Sequence, residues 1–321
     1  MFDPLEWRMT YETPLRLSAT SAWIAHIPFA MALVEMLRPS VLVELGTQRG
    51  DSYCAFCQAV TTLKLPTRCF GIDTWAADPH MPMTAQQMLA ELRSYHDPLY
   101  GQFSTLVLSK FDDALSRFEA GQIDLLHIDG MHDYKSVRHD FETWLPKLSR
   151  RGVVLFHDTA ERGGEDFGVW RLWEELSPKF PSVEFAHGHG LGVLAAGDDA
   201  SPAVIGFLEW AKQRPDAARA LYSTLGDRVN VLRQIHSVIL MLGEQRKLIA
   251  QWRQMTRQPP GQPWDFSQAI QPLDFAVAAA KEVEGLTQDD LRLREHIAQL
   301  KGQLQALTQE NNRLRAGGGS T

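Results

Sequence analysis

Short apolar runs alternate with amphipathic stretches from about residue 41 to residue 197. The runs 41–45, 69–72, 105–108, 123–128 and 153–156 read as buried strands. Stretches of helical period lie between and after them, near 51–62, 84–95, 111–120, 133–148 and 166–179. Two further runs, 183–186 and 192–196, bring the strands to seven. Strictly alternating strands and helices predict an α/β fold, a Rossmann-like, doubly wound parallel sheet covered by helices.

Outside this region the pattern changes. Leu17 to Val34 is an uncharged stretch of 18 residues, but it contains Ser18, Thr20, Ser21, His26 and Pro28 and lies between Arg16 and Glu35. It reads as a buried helix, not a membrane span. Beyond Gly197-Asp198-Asp199, residues 202–256 read as helices broken at Arg214-Pro215, and the prolines of 258–263 mark a loop or linker. Leu286, Leu293, Leu300, Leu307 and Leu314 then recur every seven residues, with Ile297, Leu304 and Asn311 in the alternate seam position. That spacing predicts a two-stranded coiled coil and a homodimer; one amphipathic helix packed on its own chain is the alternative. The expected division is an N-terminal helical segment or lid (1–40), the sheet domain (41–199), a helical region (200–285), the coiled coil (286–315) and a flexible tail (316–321).

Composition narrows the function. Apolar residues make up 44% and charged residues 22% of the 321, as in a folded globular protein, and the net charge of −7 gives no general attraction to nucleic acid. Cys54, Cys57 and Cys69 are too few for a disulfide framework, and the first residues lack the features of a signal peptide. A cytoplasmic setting is expected. Cys54 and Cys57 fall inside a predicted helix without a second such pair, so they read as buried thiols before a redox or zinc site.

Gly46 directly follows the first strand and Gly50 stands at the start of the next helix, in Val43-Glu44-Leu45-Gly46-Thr47-Gln48-Arg49-Gly50-Asp51-Ser52. Such a loop lets a ligand approach the backbone and offers it the helix N-terminus; alone it could equally be a turn without a ligand. Asp73 ends the second strand, beside that loop, where a carboxylate can take both hydroxyls of a ribose. A nucleoside ligand follows. The dinucleotide fingerprint and the phosphate-loop motif of nucleotide hydrolases are both absent from the sequence.

The segment Val43-Glu44-Leu45-Gly46-Thr47, the run Leu125-Leu126-His127-Ile128-Asp129-Gly130-Met131-His132, the run Phe156-His157-Asp158-Thr159 and His187-Gly188-His189-Gly190 together resemble the class I S-adenosylmethionine-dependent methyltransferases. The resemblance covers about residues 20–197. It is nearest to the branch found with bacterial surface-polysaccharide and O-antigen genes, often joined to glycosyltransferase domains. It implies S-adenosylmethionine as cofactor, a sugar or glycan acceptor, and a glycosyltransferase domain or partner. It also implies Glu44 and the Gly46 loop at the methionine end, Asp73 on the ribose and Ser109 near the adenine. The expected cofactor residues are Glu44, Gly46, Thr47, Gly50, Ser52, Asp73, Ser109 and Asp129.

Asp129, His132, His157 and Asp158 fall at the carboxyl ends of the fourth and fifth strands, the rim where open parallel sheets bind ligands. They are the candidate catalytic residues. Methyl transfer to a hydroxyl needs a group that removes its proton, and the imidazole of His132 is suited to it; alternatively His132 caps or packs the next helix. Related O-methyltransferases bind magnesium with acids at these strand ends, which makes Asp129 and Asp158 the candidate metal ligands, although His157 stands where an oxygen ligand is expected. Asp78 and His80, with His187 and His189, could reach the same crevice or lie in solvent. A methyltransferase of small secondary metabolites, and an inactive scaffold working through its coiled coil, are the other readings.

Overall fold

In a computed structural model, which describes residues 2–4, 6–18, 22–76, 84–163 and 167–255, the uncharged N-terminal stretch does form a buried helix, but later than expected. A 3-10 turn (Ala22–His26) leads into α1 (Ile27–Leu37), with Pro28 in its first turn, where no backbone donor is needed. Every residue of α1 except Glu35 is buried, and Glu35 accepts the Met9 N–H at 2.9 Å. Among the described residues no helix is long and apolar enough to cross a membrane.

Then follow β1 (Val41–Leu45), α2 (Asp51–Leu63), β2 (Arg68–Asp73), α3 (Ala85–Tyr100), β3 (Ser104–Leu108), α4 (Phe111–Ala114), β4 (Ile123–Ile128), α5 (Tyr134–Trp144), β5 (Leu148–His157), α6 (Val169–Leu176), β6 (Ser182–Phe185) and β7 (Leu191–Ala195). All residues of β1 and β4 are buried, as continuous apolar runs covered on both faces should be. The seven strands form one sheet in the order β3-β2-β1-β4-β5-β7-β6. β1 to β5 pair in parallel, but β7 runs antiparallel to both β5 and β6. The sheet is therefore mixed, and the expectation of a wholly parallel one is corrected. The reason is length: residues 186–190 can turn a hairpin, whereas a parallel return needs a dozen residues or more.

Three helices are shorter than expected, α6 among them, at Val169–Leu176 against 166–179. α4 gives way after Ala114 to a 3-10 turn (Leu115–Arg117), and α5 to one at Leu145–Lys147, where Pro146 cannot continue the ladder. α3 is longer: it opens on a capping box between Thr84 and Gln87 and runs past Pro98 to Tyr100, whose ring packs on His96 and Tyr95.

The chain divides into two compact units at Val229 and Asn230. The first contains the sheet, α7 (Pro202–Gln213) and the start of α8 (Pro215–Met255). The expected sheet domain ended at residue 199, but Phe207 of α7 packs on Phe29 and Phe185, and Tyr222 of α8 on the same two rings. In the second unit the described residues continue α8 to Met255. The coiled-coil heptads, the linker at 258–263, the tail, and Asp78-Pro79-His80 lie outside the described residues.

β2 and β3 lie to one side of β1 and β4 to the other, so the chain reverses its course between β1 and β4. Ligands of open α/β sheets bind at the carboxyl ends of strands at this switch point. Gly46 and Asp129 stand there.

Candidate active site

Gly46 has φ +96°, and a Cβ on it would lie 1.9 Å from the Asp129 carbonyl oxygen. Only glycine lets the two loops touch. Past it, the Gln48 N–H donates to Asp73 Oδ2 at 2.8 Å and the Trp75 N–H to Asp73 Oδ1 at 2.7 Å. The Trp75 indole closes the ring of contacts by donating to the Gln48 carbonyl at 2.8 Å. One carboxylate thus ties both loops together. Burial raises its pKa, against the lowering effect of those backbone N–H groups.

These loops wall a cavity of about 480 Å³. Asp73 to Ala76, Lys110 and Phe111 line it together with Asp129 to His132, Gly46 to Ser52 and Trp23, and the Phe111 ring lies against Gly130. Of the expected cofactor residues, Gly46, Thr47, Gly50, Ser52, Asp73 and Asp129 are in the lining. Ser109 is not: its N–H donates to the Asp73 carbonyl at 3.0 Å and its hydroxyl to the Lys110 carbonyl at 2.9 Å, while its two successors face the cavity. Glu44 is also set back, fully buried, with Oε2 2.8 Å from His127 Nδ1.

The four candidate catalytic residues come together. His132 Nε2 lies 3.1 Å from Asp158 Oδ2, and His157 Nδ1 lies 3.1 Å from Asp129 Oδ1 and 3.2 Å from Asp158 Oδ2. Asp158 adopts a left-handed φ of +61°, a conformation Asp tolerates better than most residues. His157 Nε2 faces the Gly188 carbonyl at 3.1 Å. Both nitrogens of His157 therefore meet only acceptors, so both carry protons and the ring is an imidazolium. Burial pulls its pKa down, yet Asp129 and Asp158 outweigh it and hold it at about 10. Burial likewise acts to raise the Asp158 pKa, but hydrogen bonds from His132 and His157 keep it well below the ordinary range. The bond to Asp158 raises the pKa of His132.

Of the four, Asp129 and His132 line the cavity; His157 and Asp158 stand behind them. With both protons committed, His157 holds the two carboxylates apart from each other and has no lone pair for a substrate. His132 is more open, and its ring stacks on Phe167 at 5.0 Å and 14°. Because a carboxylate fixes the proton on Nε2, the nitrogen left to accept one is Nδ1.

Asp129, His132 and Asp158 could direct three ligand atoms, all within 4.8 Å of one another, at a metal ion. Magnesium prefers six oxygens. Here the set offers two carboxylates and an imidazole nitrogen, and the position between the carboxylates is filled by the His157 N–H. The residues present do not fit magnesium.

Several lining residues carry no signal of their own in the sequence. Trp23 is one: its indole N–H donates to His127 Nε2 at 3.0 Å, so His127 carries its proton on Nδ1 and passes it toward Glu44. Burial raises the Glu44 pKa, opposed by His127 and Ser52. Arg49, Lys110 and Phe111 are others; the last two could have been suspected because they follow a strand end, as Trp75 does. The two loop histidines separate: His187 packs on His26 with ring centroids 4.7 Å apart, and His189 bonds Glu161 at 2.8 Å. Cys54 and Cys57 are free and buried in α2, with thiol pKa values pushed up by that burial.

Residues 43–159 match the methyltransferase domain family. The matched segment runs from β1 to just past the end of β5 and includes the Gly46 loop, Asp73, Asp129, His132, His157 and Asp158. An uncharacterized protein of Sinorhizobium fredii, y4gI, is 48% identical over 179 residues, which are 56% of this chain and 20% of that protein. The chain spans about a fifth of the length of this curated relative. Solved structures similar to it include a Podospora anserina methyltransferase bound to SAH (17% identity, TM-score 0.40, 53% of this chain and 76% of that one). A methyltransferase from Geobacter sulfurreducens is similar as well (16%, TM-score 0.39, 52% and 76%).

Proposed function

We propose that this chain transfers a methyl group from S-adenosylmethionine to a hydroxyl, the acceptor being a sugar hydroxyl of a bacterial surface polysaccharide such as O-antigen. The observation that carries the reading is the single cavity running from the Asp73 loops to His132, whose Nε2 is held 3.1 Å from Asp158. The methyltransferase domain match over residues 43–159 supports the cofactor. The sugar acceptor rests on the sequence resemblance alone.

The lining fits that cofactor. Thr47 Oγ1 and Arg49 Nε are buried there without hydrogen-bond partners, and the Gly46 turn leaves room against the backbone. Arg49 and the N-terminus of α2 suit a carboxylate. Asp73 keeps a second lone pair on each oxygen for ribose hydroxyls, and Trp75 and Phe111 offer apolar surface for the base. When bound, S-adenosylmethionine supplies an electrophilic methyl on a positively charged sulfur. The protein's part is to orient the acceptor hydroxyl and take its proton. His132 takes that proton at Nδ1, Asp158 holds the ring in the required tautomer, Phe167 fixes its plane, and Asp129 faces the cavity as an acceptor for hydroxyl groups. His157 is a positioning residue.

The C-terminal heptads extend the proposal to a parallel homodimer, in a cytoplasmic setting, working with a glycosyltransferase domain or partner. The chemistry is tested first. Isothermal titration with S-adenosylmethionine should show binding, weakened in Asp73→Ala by about 1.5–3 kcal/mol as charge-assisted bonds are lost. His132→Ala should bind it normally and lose roughly 10²-fold in methyl transfer. Native protein that fails to bind would end the reading, and native turnover in His132→Ala would end the role of that residue.

A further inference from the structure

Trp23 stands at a particular point of the cavity. Its ring packs against His127, two residues before Asp129, at 5.1 Å, and against Phe56 of α2 at 5.7 Å. It thus stands between the middle of α2 and β4 and shares the cavity lining with the Gly46 loop and His132, where the methionine end of the proposed cofactor would lie. The indole is 3% exposed and lines the cavity. Its orientation is set from within the sheet: the N–H donates to His127 Nε2, and His127 Nδ1–H donates to a buried carboxylate of Glu44. An indole N–H can only donate, so the direction of this relay is fixed. Consecutive hydrogen bonds that end on a carboxylate polarise one another and leave the indole ring richer in electrons. A buried, electron-rich ring attracts a desolvated cation.

We propose that Trp23 is a specificity-determining residue that favours the positively charged sulfonium of the methyl donor over the neutral thioether of the product. The inference rests on the proposed cofactor. Transfer of the methyl removes the sulfur's charge, so the same wall that holds the donor relaxes its hold on S-adenosylhomocysteine and helps donor replace product.

The test is the ratio of two dissociation constants, for S-adenosylmethionine and S-adenosylhomocysteine, measured by isothermal titration on the full chain. Trp23→Leu should weaken the donor roughly 2- to 30-fold while the product changes less than about twofold. As Trp23 is buried, a variant of the same shape guards against a folding defect: 5-fluorotryptophan at position 23 alone should shift the ratio in the same direction through its electron-poor ring. A ratio unchanged in both variants overturns the inference and leaves the cofactor assignment standing. Native protein that binds neither ligand overturns the cofactor assignment and this inference with it.

Discussion

His157→Leu tests whether an internal cation holds the site together. In the native protein the imidazolium lies 3.1 Å from Asp129 and 3.2 Å from Asp158. Replacing it leaves two carboxylates facing each other without their shared proton donor, and removing one partner of a buried ion pair costs about 3–5 kcal/mol. At about 2–4 °C per kcal/mol for a domain of this size, the melting temperature should fall by roughly 6–20 °C at pH 6. The pH dependence carries the sharper signature. Folding raises the His157 pKa from 6.5 to about 10, so its contribution is complete below 6.5 and disappears as pH rises through about 10. The deficit of the variant should therefore shrink between pH 6 and pH 10. Urea denaturation followed by circular dichroism at pH 6, 8 and 10 measures it, and the double variant His157→Leu/Asp158→Asn should recover part of the loss by removing one of the stranded charges. A deficit under about 1 kcal/mol at pH 6, or one that stays constant to pH 10, would refute the assignment of His157 as a buried imidazolium.

Gly46→Ala should lower both stability and S-adenosylmethionine affinity, because its φ is +96° and the added methyl would meet the Asp129 carbonyl at 1.9 Å; the overpacking costs about 1–3 kcal/mol, and unchanged melting and titration curves would contradict the contact between the loops. The bond to Asp158 raises the His132 pKa above 6.5, so the basic form grows as pH rises past that raised value. The pH profile of kcat/KM should accordingly show an ascending limb above 6.5, moved to lower pH in Asp158→Asn, and should be insensitive to EDTA. Cutting the chain after Gly285 should give a monomer, or a weaker dimer, that still binds S-adenosylmethionine; sedimentation equilibrium on both forms decides it, and a monomeric full chain at tens of micromolar removes the coiled coil.

The sequence by itself determined where the strands lie, since these apolar runs are too short for helices and are separated by amphipathic stretches and turn residues, and it determined that Gly46, Asp73, Asp129, His132, His157 and Asp158 share one rim. The second follows from a general rule about strand ends in open parallel sheets. The hairpin that reverses β7 was also legible, in the five residues between the last two strands, once length is weighed ahead of alternation. What only the tertiary structure decided are the states and partners of the groups. His157 becomes an imidazolium because Asp129, Asp158 and the Gly188 carbonyl approach it from separate strands and loops. Ser109 turns its hydroxyl to the Lys110 carbonyl and yields the cavity to Lys110 and Phe111. Glu44 turns inward to His127, 83 residues away, and Trp23 reaches the same imidazole across 104 residues. Periodicity records only which face of an element is apolar, whereas a proton's position depends on acceptors that folding alone brings into range.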